Sequence, residues 1–364
     1  MKELSLYIHI PFCVKKCDYC DFVSAKCEKD WIDKYVLKLT TEINEFDASG
    51  YIVDSIFIGG GTPTLLEPKQ FKSIVDCIKA KFKIDLKEFT VEGNPNSYTQ
   101  EKVDFYKSQG VTRLSVGVQS LNDKVLKGIG RIHTAKQAED CLQMLCKSGL
   151  DINCDFMVGL PYQTLDIVKS DIQKIVEFGV TSVSCYSLIL EENTPLFNKV
   201  QTGEIKLPDD DIMVDMYDIA VKILQKSGLR RYEISNFGKP CYHNIGYWRL
   251  KEYAGFGIAS HSLINNIRYY NTENFEKYMS GIDYREVEEV LSESDLQKEY
   301  VMLALRMENG ILIGDFINKF GSSAYNKLLE DIDKDKIYYN ITKNNIAIKP
   351  EYIYMSNSLI ANLI

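Results

Sequence analysis

The sequence predicts an α/β fold built on a parallel sheet, with a smaller helical module behind it. Three observations carry this expectation. Apolar strand-like runs alternate six times with stretches of helical spacing. The units are separated by short turn signals rather than long polar linkers. A capped helix pattern near residue 290 then opens a differently ordered segment.

The strand-like runs are 4–10 (LSLYIHI), 53–58 (VDSIFI), 89–92 (FTVE), 112–118 (TRLSVGV), 151–158 (DINCDFMV) and 180–188 (VTSVSCYSL). Helical spacing fills 30–46, 68–82, 99–109, 135–148 and 165–178, and 210–227 after a connection holding Pro195, Gly203 and Pro208. Six successive βα units predict a parallel sheet, either doubly wound or closed toward a barrel. Short β-like pieces follow at 231–237 and 266–271. From about 290, SESDLQKEYVMLALRMENG opens on Ser and acidic helix-start signals. Helical patterns at 314–320 and 323–333, the hairpin-like YYNITKNNIAI and a terminal helix complete a winged-helix order. Residues 295–364 carry eight Lys/Arg against nine Asp/Glu, so this module is expected to pack or meet a partner rather than read DNA. The predicted organisation is a core over 1–230, an extension over 231–289 and a C-terminal module over 290–364.

Composition excludes several classes. At 45% hydrophobic and 26% charged residues, the chain is neither disordered nor low-complexity. A net charge of −8 argues against nucleic acid as the main partner. No apolar run reaches the roughly 20 residues a membrane-spanning helix needs. The opening MKELSLYIHIPFC does not read as a signal peptide, which predicts a cytoplasmic protein whose ten cysteines are thiols or metal ligands.

Cys13, Cys17 and Cys20 follow the first strand as IPFCVKKCDYCDF. Three thiolates on one short loop can converge on a single inorganic centre. A structural zinc would need a fourth ligand, locally His9 or Cys27, neither at zinc-finger spacing. A 4Fe–4S cluster with one iron left open needs only the three. Gly59, Gly60 and Gly61, with Thr62 and Pro63, end the second strand. No Lys-Ser/Thr follows, so the phosphate-loop template fails, whereas glycines still let main-chain carbonyls approach a ligand. Glu92 closes the third strand, Gln119 follows the fourth, Arg131 sits in the next loop and Asp155 lies in the fifth. Any one of them reads as a capping or surface group. Together they read differently, because functional groups gather where parallel strands end, and the cysteines, the glycines, Glu92 and Gln119 all fall there. Gly255, Gly257 and Ala259 lack the strand–turn–helix frame of a dinucleotide site. Cys77, Cys141, Cys146, Cys154 and Cys185 read as buried small hydrophobes.

Cys-x-x-x-Cys-x-x-Cys after a first strand resembles the radical S-adenosylmethionine (SAM) superfamily. The words LYIHIPFC, FIGGGTP, RLSVGVQS, DFMVGLPYQT and HNIGYW are similar to its branch containing oxygen-independent coproporphyrinogen III oxidase. The resemblance spans nearly the whole chain and implies a partial (β/α)6 barrel with a winged-helix-like helical module. It implies a 4Fe–4S cluster on Cys13, Cys17 and Cys20, with SAM held by Tyr7, Tyr19, Gly60, Gly61, Thr62, Glu92, Gln119, Arg131 and Asp155. Two departures from the oxidase stand out. Position 22, where the oxidase pattern has a fourth cysteine, is Phe22, and only twelve residues precede Cys13. Both are similar to the sister group of heme chaperones, the HemW type, which shares the HNxxYW word present here as His243, Asn244, Tyr247 and Trp248. That resemblance implies heme as a third cofactor, His243 as its candidate ligand ahead of Cys241, and a heme-accepting protein as partner. The oxidase activity and a non-enzymatic zinc-stabilised protein remain the alternatives, and a homodimer is left open.

Overall fold

The computed structural model describes residues 1–26 and 29–364. Its first half alternates strand and helix: β1 (Lys2–Ile10), the short pair β2 (Phe12–Cys13) and β3 (Ala25–Lys26), α1 (Lys29–Glu45), β4 (Tyr51–Gly60), α2 (Pro68–Lys81), β5 (Ile84–Gly93) and α3 (Gln100–Gln109). It continues through β6 (Arg113–Gln119), α4 (Asp123–Gly128), α5 (Ala135–Leu145), β7 (Asp151–Val158), α6 (Leu165–Glu177), β8 (Ser182–Ser187), α7 (Pro195–Gln201) and α8 (Asp210–Lys226). Threonines cap several of these helices. The Thr99, Thr134 and Thr164 hydroxyls accept from the backbone N–H of Lys102, Gln137 and Ile167.

Strands β1, β4, β5, β6, β7 and β8 lie side by side in chain order, all parallel. A doubly wound sheet would reverse its order at a switch point, and this one does not, so the partial (β/α)6 barrel is the architecture present. The strands alternate, apart from register shifts near Ser55 and Gln119. Leu4, Leu6, Ile8 and Ile10 of β1 are fully buried in the core shared with the helices, as are Leu114, Val116 and Val118 of β6. The opposite register carries Ser5, Tyr7 and His9, then Ser55, Phe57 and Gly59, then Glu88, Thr90 and Glu92 into the barrel. The barrel interior is therefore polar, and the apolar core lies outside it, between sheet and helices.

Beyond α8 the chain forms β9 (Asn236–Gly238), antiparallel to β8 at one sheet edge. Helix α9 (Tyr242–Trp248) then runs beneath the strands, and β10 (Tyr253–Phe256) joins the other edge, parallel to β1. Strands β11 (His261–Ile264), β12 (Ile267–Asn271) and β13 (Arg285–Val290) extend that edge antiparallel, with α10 (Phe275–Ser280) between the last two. Of the β-like run 231–237, only its end is strand. The 266–271 piece is one arm of a hairpin.

Residues from α11 (Glu293–Ala304) onward have their own apolar cluster, with Tyr300, Ile311, Phe316, Ile332 and Ile346 at its centre. Here β14 (Ile311–Leu312), β15 (Tyr339–Ile341) and β16 (Asn345–Ile348) make a small antiparallel sheet beside α12 (Ile313–Asp333) and α13 (Ser356–Ala361). The two helical patterns expected at 314–320 and 323–333 form one stretch, interrupted only at Gly321, whose φ of 83° is non-helical. Among the described residues no helix is long and apolar enough to cross a membrane.

Glu42 ties α1 to the sheet extension. Its carboxylate is buried and accepts from the Gly257 N–H at 3.0 Å, the Tyr278 hydroxyl at 2.8 Å, the Asn271 amide at 2.6 Å and Arg285 at 3.2 Å. Glu42→Ala strands two buried donors, the Gly257 N–H and the Tyr278 hydroxyl, each worth roughly 1 kcal/mol or more, so thermal unfolding should show a loss of about 2 kcal/mol. A loss under about 1 kcal/mol would mean that water replaces the carboxylate without cost.

Candidate functional site

The cysteine loop sits over the carboxyl ends of the strands, pinned at its base where β2 pairs with β3. Asp18 holds its middle, through its N–H to the Ile129 carbonyl at 3.0 Å, its carbonyl to the Leu196 N–H at 2.7 Å and its carboxylate to Lys199 at 2.7 Å. Thr62 donates to the Cys13 sulfur at 3.7 Å, and Arg131 donates to the Cys17 sulfur at 3.3 Å. Burial raises the Cys13 thiol pKa and pushes Cys20 to about 11, so as free thiols both are protonated at neutral pH.

Arg131 spends its fork on protein atoms. One terminal nitrogen reaches Cys17; the other donates to Asn94 Oδ1 at 2.7 Å and to the Gly117 carbonyl. Nε is buried and without a partner, and is the donor left for a ligand. His9 is fully engaged, with Nδ1 against the Tyr7 hydroxyl at 3.0 Å and Nε2 against the Val23 carbonyl at 3.2 Å. That removes one local candidate for a fourth zinc ligand, and Cys27 lies outside the described residues. Among the described residues no three His, Cys, Asp or Glu side chains converge as a single-ion site requires.

The glycines are required by close packing. A Cβ on Gly60, whose φ is 106°, would lie 2.6 Å from the His9 ring, and one on Gly61 would lie 2.7 Å from the Phe12 carbonyl oxygen. The Gly60 N–H donates to Glu92 at 3.1 Å. Burial, reinforced by Asp155, raises the Glu92 pKa to about 8; burial alone raises that of Asp155 to about 6, against hydrogen bonds from Ser184 and Ser115. Two carboxyls held near neutrality in one cavity fit a ligand bearing a cation and hydroxyls. Gln119 accepts from the Tyr186 hydroxyl at 3.4 Å and takes a φ of 67°, unusual for a non-glycine residue and turning the chain sharply at the end of β6. Tyr19 lies near Arg131 and Asp155, with its hydroxyl pKa raised by burial. Tyr7 points into the barrel and is spent on His9.

His243 lies at the opposite end, on α9. It is 1% exposed, with Nδ1 bonded to the Ser55 hydroxyl at 3.0 Å and Nε2 to the Tyr247 hydroxyl at 2.8 Å. Burial, helped by Lys251, lowers its pKa to about 3. As placed, the ring has no nitrogen free for iron, which is the structural role the local sequence left open. Cys241 is equally committed, its thiol 3.1 Å from Glu88. Of the other histidines, His133 is buried, whereas His261 is exposed and stacked on Tyr270.

Sequence reasoning missed Asp18, Asn94, Glu88, Arg113 and Asn153. Arg113 is buried and donates to Asn153 and Ser182; Asn153 in turn donates to Ser115, Ser184 and Asp155. The signal was available, since all but Asp18 and Asn94 stand in the inward register of the strands.

A model described as the radical SAM superfamily matches residues 7–175. The heme chaperone HemW of Lactococcus lactis is 38% identical over 349 residues, covering 93% of this chain and 92% of that protein. HemW of Bacillus subtilis is 36% identical, covering 92% and 93%, and HemW of Escherichia coli is 33% identical, covering 97% and 94%. The solved structure of the E. coli coproporphyrinogen III oxidase HemN covers all of this chain and 90% of its own, with a TM-score of 0.84; at 21% identity that likeness concerns the fold alone. With the cysteine loop, the glycine turn and the HNxxYW helix on one frame, and with relatives of this identity along nearly its whole length, the chain belongs to the HemW heme chaperone family of the radical SAM superfamily.

Proposed function

We propose that this chain is a heme chaperone that binds a 4Fe–4S cluster, SAM and heme, and passes heme to an acceptor protein in the cytoplasm. The observation that carries the reading is the match to HemW proteins over nearly the full length of both chains. Phe22, exposed at the place of the oxidase's fourth cysteine, supports chaperone over oxidase. The domain limits stay as read from sequence, with 1–230 as the radical SAM core, 231–289 as its extension and 290–364 as the winged-helix-like module.

Cys13, Cys17 and Cys20 would hold the cluster, giving up their thiol protons to do so. When bound, the cluster would supply an iron left without a cysteine, able to take an external ligand such as SAM. Gly60, Gly61 and Thr62 would line the path of the SAM amino group, with Glu92 and Asp155 accepting from it or from the ribose hydroxyls. Arg131 would meet a carboxylate through Nε, while Tyr7, Tyr19 and Gln119 wall the site. Heme is proposed to meet the amino end of the barrel. There α9 borders a cavity of about 820 Å³, walled in part by Ile245, Leu250, Leu263, Leu296 and Phe320. His243 lies inward of that cavity's lining, against Ser55, Tyr247 and Phe57, and would serve as ligand only by giving up both hydrogen bonds and turning toward it.

Three measurements test this. Each of Cys13→Ala, Cys17→Ala and Cys20→Ala should lose the charge-transfer absorbance of the anaerobically reconstituted protein while the chain stays folded. Full iron and sulfide in Cys17→Ala would end the assignment. SAM binding needs ionised carboxylates, and Glu92 and Asp155 hold protons above the usual carboxylate range, so affinity should rise between about pH 6 and pH 8 with proton release on binding. Glu92→Gln should bind more weakly and flatten that rise; an unchanged profile would remove Glu92 from the site. His243→Ala should weaken heme binding and alter the Soret band with the cluster intact. A lowered unfolding temperature with unchanged heme affinity would leave His243 a structural residue only.

A further inference from the structure

Asn94 lies between two of the cluster cysteines and touches neither. Its amide oxygen accepts from Arg131 at 2.7 Å, and Arg131 donates to the Cys17 sulfur at 3.3 Å. Its amide nitrogen donates to the Thr62 hydroxyl at 3.0 Å, and that hydroxyl lies 3.7 Å from the Cys13 sulfur. The direction of the chain is forced. A guanidinium has only donors, so the amide oxygen must face Arg131 and the NH2 must face Thr62. Thr62 then accepts from Asn94, and its one proton is left to point at Cys13. Asn94 is free for this because the backbone around it is satisfied by Ser97, whose hydroxyl takes the Asn94 N–H at 3.1 Å.

We propose that Asn94 is a positioning residue that sets the reduction potential of the cluster, by aiming Arg131 at the Cys17 sulfur and the Thr62 proton at the Cys13 sulfur. Hydrogen bonds to cysteinyl sulfur stabilise the more negative, reduced cluster and so raise its potential. The inference rests on the reading that Cys13, Cys17 and Cys20 bind a 4Fe–4S cluster, which iron and sulfide content of the unmodified protein tests separately. Asn94→Asp presents an acceptor to Thr62 as well as to Arg131. The hydroxyl then turns from Cys13 to the new carboxylate, and the bond to one sulfur is lost. Thr62→Val loses the same bond with little change of shape, and Thr62→Ser keeps it.

The test is a dithionite titration of the reconstituted full-length proteins, followed by the EPR signal of the reduced cluster. Asn94→Asp and Thr62→Val should keep wild-type iron and sulfide content and shift the midpoint to more negative potential, while Thr62→Ser stays at the wild-type value. Midpoints of Asn94→Asp and Thr62→Val equal to wild type, with clusters intact, would overturn the proposal. If Asn94→Asp fails to hold iron, the neutral Asn94→Ala decides: with Thr62→Val and Thr62→Ser separated, a wild-type midpoint in Asn94→Ala refutes the proposal and a shifted one upholds it. Iron missing from the unmodified protein would instead refute the cluster reading.

Discussion

The Glu88 carboxylate is the interaction on which the closed amino end of the barrel depends. It accepts from the Tyr242 N–H at 3.0 Å, the His243 N–H at 3.2 Å and the Cys241 thiol at 3.1 Å, three donors at the start of α9. A helix entering a barrel N-terminus first carries unpaired N–H groups and a partial positive charge into a closed space. A carboxylate facing it from the inward register of β5 answers both. With α9 across that end, the polar interior is shielded below, and the cysteine loop lies over the other end of the strands. An aromatic file joins the two ends. His9 lies 5.9 Å from Tyr7, Tyr7 6.3 Å from Phe57, and Phe57 5.2 Å from His243, ring centre to ring centre.

This arrangement explains why a barrel can be so polar inside. The strands bury their apolar register, Leu4 to Ile10 and Leu114 to Val118, against helices, so hydrophobic stabilisation does not require an apolar interior. The inward side chains are satisfied by one another instead. Ser5 bonds Ser55, Arg113 bonds Asn153 and Ser182, and Asn153 bonds Asp155. Each unpaired member would cost desolvation energy, so the set is held as a unit.

Much of this was legible in the sequence. The six strands and their helices were readable from periodicity, because long runs on a two-sided buried sheet leave an unambiguous pattern. So was the gathering of the cysteine loop, the glycine turn, Glu92 and Gln119 at one end, since strand polarity dictates it; Asp155 sits in the middle of β7. What periodicity could not show was the course after α8. The chain passes from one sheet edge to the other through α9, a long-range connection decided by packing rather than by local propensity. The role of HNxxYW was hidden for the same reason. His243 reads as a candidate ligand beside aromatics, and only its contacts with Ser55 and Tyr247 reveal a ring held from both sides. Asn94 was hidden by its neighbours, for in the word EGNP an asparagine before proline reads as a turn residue.

The two ends draw on separate sets of side chains, linked only along the aromatic file, and that separation bears on how a radical SAM frame can serve heme. The upper end is built by strand ends and loops, with Arg131 and Thr62 aimed at sulfur and Asn94 bonded to both. The lower end is built by one short helix, α9, whose grip on the barrel runs through Glu88, Ser55 and the packing of Tyr247 on Tyr253. A helix of seven residues held by a few polar contacts can be displaced far more cheaply than a strand of the sheet. Ligand exchange at His243 would therefore disturb α9 and the cavity beneath it while leaving the six-stranded frame, and the cysteine loop above it, in place. A fold whose stability lies outside its barrel can let one end open for a bulky, transient ligand without loosening the cluster at the other.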